Sequence, residues 1–225
     1  MTNALENIRV LEMTEAMAGP YCAMLLGDFG ADVIKIERPQ IGDQARAWGP
    51  PFVQGESAYF LSVNRNKRSV TLDIKTDAGL RVLHQLISTS DIFITNIPRL
   101  DSLRRARIDY DSLRAINPRL IYVAISGYGH TGPKAGRGGY DVVAQGEAGL
   151  MAITGSASDG PIRFPAPMAD ISAGVYATIG ILAALYAREK NGRGQFIDVA
   201  LVDAQATWLA NIGGSFFATG ARAKK

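Results

Sequence analysis

Short apolar runs alternate along the chain with segments of helical period. Residues 8–13 (IRVLEM) and 32–37 (DVIKIE) read as strands, and between them residues 19–27 read as a helix with Pro20 in its first turn. Residues 91–96 and 120–126 are apolar and rich in β-branched positions without polar alternation, as expected of strands covered on both faces of a parallel sheet. Residues 69–74 are a further strand and residues 76–88 a helix. Residues 112–116 form a short helix stopped by Asn117-Pro118. From Ile171 to Ala187 no residue is charged. That segment is short for a bilayer and rich in Ala and Gly, so it reads as a buried helix. Residues 195–200 form a last strand leading into a helix near residues 203–209. Strands alternating with helices predict an α/β fold, an open and mostly parallel sheet with helices on both faces.

Composition changes this picture little. Of the 225 residues 47% are hydrophobic and 20% charged, as in an ordinary globular domain, and the formal charge is +3. Acidic residues are interspersed with the basic ones, so no nucleic-acid groove is indicated. One cysteine, Cys22, excludes an intrachain disulfide and a thiolate metal cluster, and His84 and His130 are too far apart to suggest a metal site. The first residues lack the pattern of a signal peptide. The chain reads as cytoplasmic, or as mitochondrial matrix in a eukaryote, with neither nucleic acid nor a membrane as partner.

Several motifs invite chemistry. Gly127-Tyr128-Gly129-His130-Thr131-Gly132 is a formal G-x-G-x-x-G after a strand, but Pro133 and further glycines follow it where a dinucleotide fingerprint needs a helix. A loop whose backbone approaches a ligand is the better reading. No G-x-S-x-G nucleophile elbow is present. Cys22 lies in an apolar stretch and reads as a packed thiol, His84 as a helix-face residue, and His130 as a ligand contact or a structural residue with even weight. The long polar connection over residues 38–67 carries Arg38, Asp43, Arg46 and Trp48 and ends in Asn64-Arg65-Asn66-Lys67-Arg68. Its cations suit phosphate contact or a solvated surface.

Asp170 stands at the head of the uncharged segment. An Asp there reads first as an N-cap. It also suits a covalent nucleophile toward an activated acyl group, kept ionised by the positive end of the helix, with free backbone N–H groups available to an oxyanion.

Taken in order, these stretches resemble the class III CoA-transferase (CaiB/BaiF) family. The residues that carry the resemblance are Val10-Leu11-Glu12, Ala18-Gly19-Pro20, residues 26–37 (LGDFGADVIKIE), Gly42-Asp43, residues 64–69 (NRNKRS), Leu72-Asp73-Ile74-Lys75, the glycine loop with Thr131-Gly132-Pro133, Ala169-Asp170, residues 180–185 (GILAAL) and Gly192-Arg193-Gly194-Gln195. The resemblance implies a Rossmann-like sheet and an enzyme that transfers CoA between an acyl-CoA and a small carboxylic acid. It implies that Asp170 attacks the thioester, holds the acyl group as an anhydride and passes it to an incoming carboxylate. It places CoA against Met17, Ala18, Arg38, Leu72, Asp73, Ile74, Lys75, Asn96, Ile97, Pro98, Arg104, Gly138, Gly139, Tyr140 and Asp141, with Arg38, Lys75 and Arg104 as cations for its phosphates. No tightly bound cofactor and no metal are expected; CoA or acyl-CoA is a substrate.

Two departures refine it. Asn96 is followed by Ile97-Pro98-Arg99-Leu100 where many members have Phe-Arg-Pro-Gly. Tyr140 precedes Asp141 where the racemase branch has a histidine, which disfavours a racemase or isomerase. Residues 46–53 with residues 56–63 look like the branch that handles succinate and hydroxymethylglutarate, which points to dicarboxylates. By the resemblance residues 1–225 are the N-terminal portion of a large domain, a fragment lacking the small domain and the C-terminal return, from a family of interlocked homodimers. A CoA-binding fragment without turnover is the alternative that this length raises.

Overall fold

A computed structural model describes residues 3–223. Its elements in chain order are β1 (Arg9–Met13), α1 (Ala18–Asp28), β2 (Asp32–Glu37), a 3-10 turn (Gln44–Ala47), the hairpin β3 (Phe52–Val53) and β4 (Glu56–Ser57), and α2 (Ala58–Ser62). Then follow β5 (Lys67–Thr71), α3 (Asp77–Ser88), β6 (Ile92–Thr95), α4 (Leu100–Arg105), α5 (Tyr110–Ile116) and β7 (Ile121–Ser126). The last are α6 (Asp141–Glu147), α7 (Leu150–Ile153), α8 (Met168–Asn191), β8 (Phe196–Ala200), α9 (Leu201–Ala206), a 3-10 turn (Thr207–Leu209) and α10 (Ala210–Thr219).

Six strands form one parallel sheet in the order β5-β2-β1-β6-β7-β8. With the hairpin set aside, this is the doubly wound order, whose direction reverses between β1 and β6. The continuous apolar runs are explained by two cores. On one face Val10, Val33, Ile92, Ile94, Ile121, Val123 and Ile125 pack against α1 and α8. On the other Leu11, Ile34, Ile36, Phe93, Tyr122 and Ala124 pack against α3, α4 and α5. Successive residues of one strand serve opposite cores, so no position is left for alternation.

Helix α8 is 24 residues long and apolar enough to cross a bilayer by length and composition. Ala169, Ala173, Ala177, Ile181 and Ala184 nevertheless sit in the core beside α1, and the buried Arg188 pairs with Asp91 at 2.9 Å. Small residues permit this approach: a Cβ on Gly174 would lie 2.9 Å from the Ala18 carbonyl oxygen. Tyr176, Ile179, Leu182 and Tyr186 on α8 are exposed, as are Trp208, Phe216 and Phe217. Helix α10 buries no residue among those described.

Where pattern and structure differ, contacts distant in sequence explain the difference. The strand expected over residues 69–74 begins at Lys67, because Lys67 donates to the Pro20 carbonyl (2.9 Å) and pairs with Glu12 (2.8 Å), which draws its backbone beside β2. Asp170 is not the N-cap of α8. The helix begins at Met168, Pro167 stands at the cap position, and Asp170 falls in the first turn.

Candidate active site

The carboxyl ends of the parallel strands open onto a cleft of about 800 Å³. A cleft at this edge, beside the reversal of strand order, is where doubly wound sheets bind ligands. Of the residues expected to meet CoA, Met17, Ala18, Arg38, Leu72, Asp73, Ile74, Lys75, Asn96, Ile97, Pro98, Gly138, Gly139 and Tyr140 all line it, and Asp170 does too. Six separate segments are thereby brought to one place.

Two residues expected at the ligand do not line the cleft. Arg104 is exposed outside the cleft, because Leu103 anchors α4 in the core beside Phe93 and Tyr122 and turns its neighbour outward. Arg105 and Arg107 line the cleft instead. Asp141 does not line it either. Its Oδ1 accepts hydrogen bonds from the backbone N–H of Ala169 (2.7 Å) and Asp170 (3.4 Å), so it caps α8 from 28 residues upstream. Proline at the cap position has no acceptor side chain, and Asp141 supplies one.

This cap changes the expected role of the helix start. The Met168 N–H donates to Ala166 O at 2.8 Å and the Ile171 N–H to Pro167 O at 3.0 Å, while Asp141 takes the two between them. The amides expected to receive an oxyanion are therefore occupied. Nor is Asp170 held firmly ionised. Burial and the nearby charge of Asp141 push its carboxyl from the ordinary 3.8 up to about 7.

Six carboxylates line the cleft, and five have partners. Glu15 pairs with Arg38 (2.8 Å), Glu37 with Arg46 (2.8 Å), Asp43 with Lys35 (3.0 Å) and Asp77 with Arg107 (3.4 Å). Asp73 accepts from the Lys75 N–H (3.0 Å). Among the described residues, the Asp170 carboxylate accepts no hydrogen bond and makes no ion pair.

Beneath the cleft lies a buried charge network that the sequence reading missed. Lys35 Nζ meets Glu12 Oε1 (2.9 Å), Asp43 Oδ2 (3.0 Å) and the Thr14 carbonyl (2.8 Å). Lys67 takes the other oxygen of Glu12. Burial alone would raise the Glu12 carboxyl, but the two lysines bring it down to about 2. Asp43 also accepts from the Ala16 N–H (3.2 Å), and Asn96 brackets Glu15 through both backbone groups (2.9 and 3.3 Å). These bonds fix the turn after β1, where Ala16 has φ +70°, and so place Met17 and Ala18. The signal was legible: Glu12 and Lys35 stand among the apolar positions of β1 and β2.

The other candidates have structural roles. Arg46 pairs with Glu37 and Glu56 over the Phe60 ring, Arg65 pairs with Asp28, and Arg68 with Asp32. Cys22 is buried, and burial pushes its thiol up to about 12. His84 meets the Arg107 carbonyl at 3.1 Å. His130 is nearly buried beside Asp198 (3.3 Å) and does not line the cleft. The glycine loop leads into no helix before Asp141. It passes so close to its own far end that a Cβ on Gly127 would lie 2.6 Å from the Gly139 Cα.

Comparison with known proteins agrees with this geometry. A family model described as CoA-transferase family III matches residues 5–225. A succinate–glutarate CoA-transferase from Agrobacterium fabrum is 46% identical over 213 residues, covering 92% of this chain and 53% of that protein. The human succinyl-CoA:glutarate CoA-transferase is 42% identical over 222 residues, covering 98% and 50%. A crystal structure of a CAIB/BAIF family protein from Brucella suis superposes with a TM-score of 0.96 at 43% identity, covering all of this chain and 60% of that one. The chain spans about half the length of the curated relatives it matches.

Proposed function

The chain belongs to CoA-transferase family III, and from that premise we propose that it supplies the cleft and nucleophile for moving CoA from an acyl-CoA to a small carboxylic acid, with Asp170 as the covalent residue. The observation that carries the reading is the lone state of Asp170: among the described residues it is the cleft carboxylate with neither hydrogen bond nor ion pair. A neutralised carboxylate is a poor attacking group and a free one a good one.

The steps balance without a metal or an oxidant. The ionised Asp170 carboxylate attacks the thioester carbonyl, the C–S bond breaks, and the products are a mixed anhydride and the CoA thiolate. Passing the acyl group itself to a carboxylate would give only another anhydride, so the thiolate instead attacks the aspartyl carbonyl, releasing the first carboxylate and leaving an aspartyl thioester. An incoming carboxylate attacks this thioester to give a second anhydride and thiolate. The thiolate then takes the new acyl group, and Asp170 is regenerated. Lys75, Arg38, Arg105 and Arg107 at the cleft wall give the phosphates of CoA a cationic lining. Dicarboxylates are the proposed substrates, supported by relatives named for succinate and glutarate.

We further read the exposed apolar residues of α8 and α10 as a surface covered by a second copy of the chain. For the reaction itself, labelled glutarate incubated with succinyl-CoA should appear as labelled glutaryl-CoA with the native chain and not with Asp170→Asn. Equal rates from the two would remove Asp170 from the chemistry, and no label from either would overturn the transfer reading.

A further inference from the structure

Helix α8 begins without a local cap, and the group that replaces it comes from the start of α6. Asp141 Oδ1 receives the Ala169 and Asp170 amides, while Asp141 Oδ2 receives Gln145 Nε2 at 2.6 Å. Gln145 is fully buried and fixed on its other side: its Nε2 also donates to the Phe164 and Ala166 carbonyls (both 3.2 Å), and its Oε1 accepts from the Phe164 N–H (2.8 Å). Asp141 is thus locked by a side chain that also clasps the chain entering α8. An Asp in the first turn of a helix normally finds the free amides there. Asp170 finds them taken.

We propose that Asp141 is a positioning residue for Asp170: by occupying the first-turn amides of α8 it denies them to the Asp170 carboxylate, which is left unbonded and open to the cleft. Gln145 holds Asp141 in that role. The proposal rests on the reading of Asp170 as nucleophile, and supplies what that reading lacks, a reason for the carboxylate to stay free at a helix start.

On the titration of Asp170, the charge of Asp141 and its hold on the amides both act upward. Besides burial, the charge of Asp141 from α6 raises the Asp170 carboxyl, so removal of that charge lowers it. Asp170, Asp43 and Asp141 in turn bear on Tyr59 from α2.

Two variants separate the charge from the cap. Asp141→Asn keeps an oxygen for the Ala169 amide but loses the charge and, with an NH2 now facing Gln145 Nε2, the bond from Gln145; Asp141→Ala loses the cap as well. Carboxyl carbon NMR of the isotope-labelled chain, free of substrate, follows Asp170 through its titration. The expected result is a fall of about one unit in Asp141→Asn. A larger fall is expected in Asp141→Ala, where the freed amides bind Asp170 directly. The rate of acyl transfer to Asp170 in Asp141→Ala should drop roughly 10- to 100-fold, with CoA affinity unchanged. An Asp170 titration that stays in place in both variants overturns the proposal. So does an adduct rate for Asp141→Ala within about twofold of native. Failure of the nucleophile reading has its own signature: the native chain then forms no adduct, while the substrate-free titration still decides whether Asp141 governs Asp170.

Discussion

Replacement of Asp170 by asparagine tests the site without any substrate. The native carboxyl is raised from 3.8 to about 7 by burial and by Asp141. A carboxyl raised in the folded state is protonated there while the unfolded chain has already ionised, so stability falls as pH rises. The loss begins near the unfolded value of 3.8 and is complete above about 7. At about 1.36 kcal/mol per unit, the full shift corresponds to about 4 kcal/mol, of which about 2–3 kcal/mol falls between pH 5 and pH 8. The asparagine side chain does not titrate, and the exchange forfeits no side-chain bond, since Asp170 makes none. Asp170→Asn should therefore be more stable than the native chain, by a margin that widens by about 2–3 kcal/mol from pH 5 to pH 8. At this chain length that is roughly 5–10 °C in Tm. Paired urea melts at both pH values measure the margin, and other titrating groups cancel in the difference. A margin that is equal at the two pH values would mean that Asp170 titrates as an ordinary carboxyl, and the reasoning fails.

The remaining predictions concern the cleft wall and the apolar surface. Lys35→Met leaves Glu12 and Asp43 short of a buried partner and should cost about 3–5 kcal/mol in a urea melt; a loss below about 1 kcal/mol would show the network to be dispensable. Arg105→Ala should weaken CoA binding by about 1–2 kcal/mol, roughly 5- to 30-fold in Kd by calorimetry, whereas Arg104→Ala should leave it unchanged; the reverse ranking would restore Arg104 as the phosphate contact. Sedimentation should show the chain self-associated at micromolar concentration, and a charged substitution at Tyr186 should shift it toward monomer. A native chain that sediments as a monomer would contradict the second-copy reading.

Much of the architecture could be read directly from sequence because a parallel strand with helices on both faces has no solvent side. The runs at residues 91–96 and 120–126 are apolar in their interiors for that reason, and residues 32–37 match β2 to the residue. Most of the cleft lining followed from motif resemblance. What failed depended on partners distant in sequence. Asp170 read as a cap because nothing local announces that Asp141 occupies the helix start. Asp141 and Arg104 hold motif positions that suit a ligand, while their placement off the cleft lining is set by Gln145 and by the burial of Leu103. The cations of residues 64–68 suited phosphate as well as carboxylate, and only the fold shows Asp28, Asp32 and Glu12 waiting for them.

The central claim is that Asp170 becomes acylated. Incubation of the chain with succinyl-CoA, a hydroxylamine quench and peptide mass analysis should yield a hydroxamate on the peptide that contains Asp170. The Asp170→Asn chain should yield none. Hydroxamate on another carboxylate of the cleft, or none while CoA is still exchanged between acids, would contradict the account.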